Sequence, residues 1–387
     1  MKGKKSLAII VGLCLVLVLS ALPFLGACGQ ATAPSPAPAP TTPAPATPSG
    51  PQTITPSTPA APAPAAPADG KVYELKFSHF FSSESAQGKW LQVWADKMKA
   101  ESNGRLNIRI YSSGVLIGPR DNYPGVAKGI ADLGYGPRYE NFGHDISVLV
   151  GRFMMGVTTV SVATQIMRDV QAQFPEVAAE WATSKIIANH SHPPGQMHNN
   201  VKEVRVPTDL VGLEIRASNA DASAVVKKLM GTPVVMPMSE AYEALQKGTV
   251  DGILSPTEVL ENFRLGENLD YTTNIYLYMS PEFPLYMNWD TWNSLPADLQ
   301  NVIESNMQWA QDNGDEMWSG IDESAITFMN ALKPGYTWSD LTPAELEQWY
   351  ALNRELLSEQ AAKLDAAGKP GTAVYEFVKG KVKEYVK

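Results

Sequence analysis

The feature that most constrains the fold lies in residues 206–256, where short apolar segments alternate with segments of helical periodicity. In chain order these segments predict a strand at 213–218, a helix at 220–230, a strand at 233–237 and a helix at 240–247. A β-α-β-α unit of this kind predicts an α/β fold with a mainly parallel sheet and crossover helices. Ligands of such sheets bind beyond the carboxyl ends of the strands, where Arg216, Met238 and Ser255 fall.

The N-terminal part of the folded region repeats this pattern. It predicts a strand at 72–78, a helix at 85–102, a strand at 104–111, a helix at 122–128 and a strand at 130–134. The helix at 85–102 carries Trp90, Leu91, Trp94 and Met98 at helical spacing, which indicates a core-facing stripe. The N-terminal part is therefore predicted to form a second β-α-β-α unit, which we call the first lobe.

Two segments of the first lobe follow strands and are candidates to face a ligand. His79 follows the first strand, and Tyr135 and Arg138 follow the third. For His79 alone, a hydrogen-bonded structural histidine is the simpler interpretation. The forked guanidinium of Arg138 suits carboxylate recognition, although a solvent-exposed arginine explains the sequence equally well.

The motifs in these two regions resemble one family. "DLVGLEIRA" followed by "MPMSEAYEALQKGTVDGILSP", and upstream "GRLNIRIYSSGVLIGPRDNYPGVAKGIADLGYG", are similar to the solute-binding proteins of tripartite ATP-independent periplasmic (TRAP) transporters of the C4-dicarboxylate type. The resemblance spans residues 71 to about 329. It implies a two-lobed periplasmic-binding-protein fold, class II-like, with a hinge and a long helix that packs across both lobes.

The resemblance also implies the ligand site. Arg216 matches the arginine that grips the ligand carboxylate, and a second family arginine some twenty residues earlier corresponds here to Gln196. A neutral amide there puts a dicarboxylate or sialic acid in doubt and favours a monocarboxylate with a bulky apolar or hydroxylated body. Met238 stands where relatives commonly have an aromatic residue and Ser255 where they have asparagine, so both are candidate ligand residues, as is Asn200.

Three histidines invite a metal hypothesis that the sequence does not support. His190, His192 and His198 do not share a helix face, two prolines lie between them, and no nearby cysteine completes a site. A segment that crosses between the lobes explains the prolines better. We expect neither a metal nor a cofactor.

Enzyme signatures are missing from the sequence. It has no Walker loop, no G-x-G-x-x-G after a strand, no G-x-S-x-G and no H-E-x-x-H. We therefore expect a binding protein rather than an enzyme. The alternatives are an ABC-transporter substrate-binding lipoprotein and a secreted hydrolase.

The first 27 residues resemble a lipoprotein signal peptide. Lys2, Lys4 and Lys5 precede an apolar stretch at residues 7–22, and small residues lead directly to Cys28. By this resemblance Cys28 becomes the lipidated first residue of an extracytoplasmic, membrane-anchored protein, and ordinary cleavage is the alternative. Cys14 leaves with the signal, so the mature chain cannot form an internal disulfide.

The following segment, residues 28–70, is rich in proline, alanine and threonine and predicts a semi-rigid spacer. Removal of the three signal lysines takes the formal net charge from −9 to −12, which argues against nucleic acid and anionic lipid as partners. A small organic acid remains possible, because the charge of a pocket can oppose the net charge.

The C-terminal region is predicted to complete both lobes. Residues 275–279 and 284–288 predict two strands on the return through the hinge, and residues 289–332 resemble the family's long helix, with Ser294 as its cap and Pro296 in its first turn. Thr342 and Glu345 predict a capping box for a helix to residue 364, and residues 375–385 predict another. The predicted lobes are 71–193 with about 282–321, and 194–281 with about 322–387.

Together these features predict a lipid-anchored solute-binding protein of a TRAP transporter. It would capture a small organic acid by hinge closure and hand it to the membrane permease subunits.

Overall fold

The computed structural model describes residues 70–137 and 143–386, which form two β-sheets covered by helices. The strands in these residues are β1 (Tyr73–His79), β2 (Leu106–Tyr111), β3 (Leu133–Tyr135), β4 (Lys185–His192), β5 (Gln196–Asn199), β6 (Glu214–Ala217), β7 (Thr232–Val235), β8 (Gly252–Ser255), β9 (Tyr271–Asn274), β10 (Ser280–Met287) and β11 (Thr337–Asp340). The two sheets correspond to the two predicted lobes.

Helices account for most of the remaining described chain. They are α1 (Ala86–Glu101), α2 (Asn122–Ala127), α3 (Asp145–Arg152), α4 (Val160–Gln173), α5 (Pro175–Ala179), α6 (Ala220–Lys228), α7 (Met238–Gln246), α8 (Val259–Asn262), α9 (Trp289–Ser294), α10 (Ala297–Ser305), α11 (Met307–Leu332), α12 (Pro343–Ala366) and α13 (Gly371–Tyr385). No helix in the described ranges is both long and apolar enough to cross a membrane.

The first sheet has the order β2-β1-β3-β10-β4. Strands β1, β2 and β3 are parallel, as the sequence predicts, whereas β10 runs antiparallel between β3 and β4. The predicted stripe on α1 is confirmed, because Trp90, Leu91, Trp94 and Met98 are all buried in the core of this lobe.

The second sheet has the order β11-β9-β5-β8-β6-β7. The β-α-β-α unit of the sequence appears as β6, α6, β7 and α7, with β6 and β7 parallel at the edge of the sheet. Asn219 caps α6 by accepting a hydrogen bond from the backbone N–H of Ala222. The predicted order of elements is therefore confirmed in this lobe.

The chain crosses between the lobes at residues 193–195 and 275–279, which lie side by side. The Gly195 N–H donates to the carbonyl of Tyr278 at 2.8 Å, and the Leu277 N–H donates to the carbonyl of Gly195 at 3.2 Å. A Cβ at Gly195 would lie 2.2 Å from the Tyr278 ring, so only glycine allows this approach. Residues 275–279 are not a strand, contrary to the prediction, because they cross between sheets and Tyr276 has a positive φ of 43°.

The single long helix predicted for residues 289–332 is three helices, α9, α10 and α11. Pro296 disfavours helical geometry in Leu295, and Pro296 itself is the N-cap of α10. Ser294 ends α9 and caps nothing, so that prediction was wrong. The 26-residue α11 begins after Asn306 and packs on β4 and α1 of the first lobe and on α8 of the second, as the resemblance implied.

Of the last two helices, α12 contacts both lobes and α13 contacts the first lobe. The predicted capping box is confirmed, with Thr342 and Glu345 at the start of α12. Helix α12 packs on α6 of the second lobe and α3 of the first, while α13 packs on α3 and α4. The sequence boundaries proposed for the two lobes stay a prediction.

Candidate functional site

A cavity of about 200 Å³ lies between the two sheets. Its lining residues come from both lobes, from the crossing segment 275–279 and from α11 and α12. Clefts of this kind, where two lobes meet, are common positions for small-molecule sites.

Aromatic side chains form much of the cavity wall. Phe80 stacks on Phe81 with ring centroids 4.2 Å apart and faces Phe263 of the second lobe at 6.5 Å. Phe283 lies 5.0 Å from Trp318 of α11. These rings offer an apolar surface suited to a flat or bulky ligand body.

Arg216 is the charged group that the sequence predicted most firmly, and it lines the cavity. It is the third residue of β6, is 5% exposed, and its Nε atom donates to the carbonyl of Met236 at 3.0 Å. This bond fixes the guanidinium at the edge of the sheet. A fixed, desolvated guanidinium is well suited to bind a carboxylate.

Arg152 is a second cavity-lining cation that the sequence analysis missed. It is the last residue of α3, and its Nη1 atom lies 3.5 Å from Asp221 Oδ2 in an ion pair without hydrogen-bond geometry. Burial raises the pKa of Tyr278 to about 12, and the charges of Arg216 and Arg152 oppose that rise. Both arginines and Tyr278 line the same cavity, with Arg216 on the second sheet and Arg152 on a helix of the first lobe.

A buried acid, Glu258, lines another part of the cavity and contacts a second acid, Asp322, through its backbone N–H. Burial raises the pKa of Glu258 to about 8 and that of Asp322 on α11 to about 7. Asp322 accepts a hydrogen bond from the Glu258 backbone N–H at 3.0 Å, and Glu258 Oε2 accepts one from Asn262 at 2.7 Å. Burial thus favours the neutral form of Glu258, which opposes the positive charge of Arg216 and Arg152 less than an ionised carboxylate would.

Two further predicted residues line the cavity. Met238 begins α7 and Ser255 ends β8, both at carboxyl edges of the second sheet. Ser255 is buried, and its carbonyl accepts a hydrogen bond from His198. Arg138 and Cys28, two other predicted functional residues, lie outside the described residues.

Four predicted residues do not line the cavity in the described part of the chain. Gln196 turns its Oε1 atom to the backbone N–H groups of Ile275 and Tyr276, at 2.7 and 3.0 Å. The Asn200 backbone N–H donates to Asp251, after the end of β5. The Gln196 amide therefore contacts the crossing segment 275–279.

Tyr135 and His79 point into the core of the first lobe. The Tyr135 hydroxyl accepts a hydrogen bond from Trp318 Nε1 at 2.7 Å, and the His79 ring lies 3.2 Å from the Ser112 hydroxyl. Side chains alternate along a strand, and His79 shares a face with Phe77, whose ring centroid is 6.0 Å away. His79 is therefore on the helix-covered face, and its burial lowers its pKa to about 4.

The three histidines of the metal hypothesis have separate environments. His190 is held by Tyr135 and the carbonyl of Ala310, and His198 by Thr272 and Ser255. Only His192 lines the cavity, where its ring packs edge-on against Tyr278. Burial lowers the pKa of each to about 4, so all three rings are neutral near pH 7.

A polar residue of α12 also reaches the cavity. Asn353 is 2% exposed, lines the cavity and has a buried Oδ1 atom without a hydrogen-bond partner in residues 70–137 and 143–386. Asn353 was not among the ligand residues predicted from the sequence. Its helical position is consistent with a core face, and only the packing of α12 against both lobes brings it to the cavity.

A comparison with protein families gives one match over most of the chain. The family described as "Bacterial extracellular solute-binding protein, family 7" matches residues 77–364. Among curated proteins, the C4-dicarboxylate-binding periplasmic protein of Rhodobacter capsulatus is 22% identical over 307 residues, covering 76% of this chain and 87% of the relative.

Solved structures of TRAP solute-binding proteins have the same fold. One from a marine metagenome, described as specific for aromatic acid ligands and bound to 3-hydroxybenzoate, has a TM-score of 0.74 and 25% identity and covers 82% of this chain and 100% of its own. One from Rhodoferax ferrireducens with copurified benzoate has a TM-score of 0.73 and 23% identity and covers 81% and 98%.

Proposed function

Since the chain belongs to the bacterial extracellular solute-binding proteins of family 7, we propose that it captures a small monocarboxylate with an apolar, ring-sized body and delivers it to a TRAP membrane permease. The observation that carries this proposal is Arg216, a buried guanidinium on the wall of an inter-lobe cavity lined by aromatic rings. The family consists of binding proteins, and we propose no chemical step.

Two cations support the choice of an acid as ligand. Arg216 and Arg152 line the same cavity, and a carboxylate between them would interact favourably with both guanidinium groups. The proposed contact for the carboxylate is a forked hydrogen bond from Arg216, with Arg152 adding charge from the other lobe. Arg152 thereby takes the place of the second cation that Gln196 does not supply.

The cavity wall supports an apolar ligand body. Phe80, Phe263, Phe283 and Trp318 would enclose a ring, because aromatic faces and edges pack favourably at centroid distances of about 4.5 to 7 Å. Relatives of this fold are described with benzoate, with 3-hydroxybenzoate and with mandelate, and another with malonate. The aromatic wall favours the first three kinds of acid for this chain.

Binding would also close the cleft. A ligand that contacts Arg216 of the second lobe and Arg152 and Phe80 of the first has more favourable contacts when the lobes are close together. It therefore shifts the population toward the closed state. The closed form is the one we propose the permease recognises.

We propose that the protein is held at the membrane through Cys28. The proline-rich spacer at residues 28–70 would reach roughly 130 Å if fully extended as polyproline II, at about 3.1 Å per residue. Several acyl chains on Cys28 would make the attachment stable. Such a tether keeps the binding domain near the permease while allowing it to reorient.

Titration calorimetry tests the proposal with benzoate, 3-hydroxybenzoate and succinate. We expect the aromatic acids to bind better than succinate. Arg216→Ala should lose about 2 to 5 kcal/mol of binding free energy, because the ligand charge is left buried and unpaired. Arg216→Lys should bind poorly as well, since an ammonium cannot replace the forked donor.

The matched control is Arg105→Ala, which removes another buried arginine, one that pairs with Asp298 and does not line the cavity in the described residues. It should lower the melting temperature and leave the affinity unchanged. Full affinity in a folded Arg216→Ala protein, or tighter binding of succinate than of the aromatic acids, would contradict the proposal.

A further inference from the structure

Asn353 has a buried amide oxygen without a hydrogen-bond partner in the described residues. This atom is Oδ1, and the residue lines the cavity. Buried polar side chains are nearly always hydrogen-bonded, because an unpaired one carries a desolvation penalty. The exceptions call for a specific explanation, and a ligand group that enters the cavity is one.

Apolar residues of the elements that pack near α12 also line the cavity. Cavity-lining neighbours on the adjoining elements are Val148 of α3, Val225 of α6 and Leu277 of the crossing segment. In such surroundings the amide is the natural partner for a polar substituent on a ligand. Because an amide offers both a donor and an acceptor, it can satisfy a hydroxyl group in either role.

We propose that Asn353 is a specificity-determining residue that hydrogen-bonds a hydroxyl group on the body of the bound monocarboxylate. This inference rests on the proposed function, because it assigns a second polar contact to the ligand that Arg216 holds. It narrows the ligand class to hydroxylated acids with an apolar ring or chain.

The position of Asn353 in α12 links this contact to both lobes. Trp349 and Leu356 pack in the core around β6 and α6, whereas Leu357 and Ala361 pack in the core around α3 and α4. Asn353 lies on the same helix, about one turn after Trp349 and one turn before Leu357. A hydrogen bond from the ligand to Asn353 therefore engages the helix that joins the two lobes.

The test compares acids that differ by one hydroxyl group. The probes are benzoate with 3- and 4-hydroxybenzoate, and phenylacetate with 3-hydroxyphenylacetate, titrated against the wild type and Asn353→Leu. Leucine has a similar volume and no polar group. We expect the wild type to bind one of the hydroxylated acids about tenfold more tightly than the unsubstituted acid of the same pair, a difference of about 1.4 kcal/mol. Asn353→Leu should lose that preference and bind the unsubstituted acid at least as well as the wild type does.

Gln360→Leu is the matched control. Gln360 lies two turns later on α12, is buried and also has an unpartnered Oε1 atom, but it does not line the cavity in the described structure. This variant should keep the wild-type preference, and melting curves should show that both variants are folded.

Each outcome has a distinct meaning. An unchanged hydroxyl preference in Asn353→Leu, or equal binding of both members of every pair by the wild type, overturns the role of Asn353 and leaves the proposed function standing. If the wild type binds none of the aromatic acids, both proposals are wrong. Equal loss of all affinity in a folded Asn353→Leu protein also overturns the specificity role.

Discussion

Gly314 offers a sharp test of how α11 packs on the first lobe. A Cβ at this position would lie 2.1 Å from Nε2, 2.5 Å from Cε1 and 2.6 Å from Cδ2 of His190. The His190 ring cannot easily move away, because its Nδ1 atom is 3.2 Å from the Tyr135 hydroxyl and its Nε2 atom is 3.1 Å from the carbonyl of Ala310. Gly314→Ala must therefore push the helix away from β4 or break these bonds.

The expected change in the free energy of unfolding combines two destabilising contributions and one stabilising contribution. Overpacking of a well-packed core costs about 1 to 3 kcal/mol, and breaking the two ring hydrogen bonds adds about 1 kcal/mol each. The better helix propensity of alanine returns about 1 kcal/mol. If both ring hydrogen bonds break, we expect a net loss of about 2 to 4 kcal/mol in the free energy of unfolding, seen as a fall of several degrees in the melting temperature.

Gly320→Ala is the control within the same helix. An added Cβ there has no atom within 4 Å, so the propensity gain stands alone and the variant should be more stable by about 0.5 to 1 kcal/mol. Urea and thermal unfolding of both variants measure the difference. If Gly314→Ala is as stable as Gly320→Ala, α11 does not pack on His190 as described.

Two further predictions concern pH and anchoring. Because the pKa of Glu258 is raised to about 8, its contribution to stability is full below about pH 4.5 and is lost as the pH rises through about 8. Between pH 6 and pH 9, the stability of Glu258→Gln relative to the wild type should therefore increase by at least about 1 kcal/mol, as measured by urea titrations. A stability difference that stays constant over this range would contradict the prediction. Cys28→Ala should move the protein from the membrane to the soluble fraction and remove the acyl groups seen by mass spectrometry, whereas unchanged membrane association would exclude the lipid anchor.

The sequence predicted best what depends on local patterns. The order β6, α6, β7 and α7 followed from periodicity and turn residues, and Thr342 with Glu345 marked the start of α12 correctly. Arg216 could be placed on the cavity because the carboxyl edge of a parallel sheet is a regular feature of the fold.

Predictions of ligand residues from the sequence were less accurate where the direction of a side chain or long-range packing determines which residues line the cavity. His79 is the last residue of β1 and Tyr135 the last residue of β3. Because side chains alternate along a strand, both point toward the core. Gln196 turns to the crossing segment, because the backbone N–H groups of Ile275 and Tyr276 need acceptors there. Nothing local in the sequence distinguishes cavity residues on α3 or α12 from core residues on other helices.

The place of β10 in the first sheet has a consequence for the order of assembly. Because β10 separates β3 from β4, the sheet stays in two parts until the chain has passed the whole second sheet except β11. At about 5 to 20 residues per second, synthesis from the end of β3 to the start of β10 takes roughly 7 to 30 s. During this interval β3 lacks one of its two neighbours and β4 has no partner in the sheet. The N-terminal lobe can therefore complete its sheet only after β10 has been synthesised.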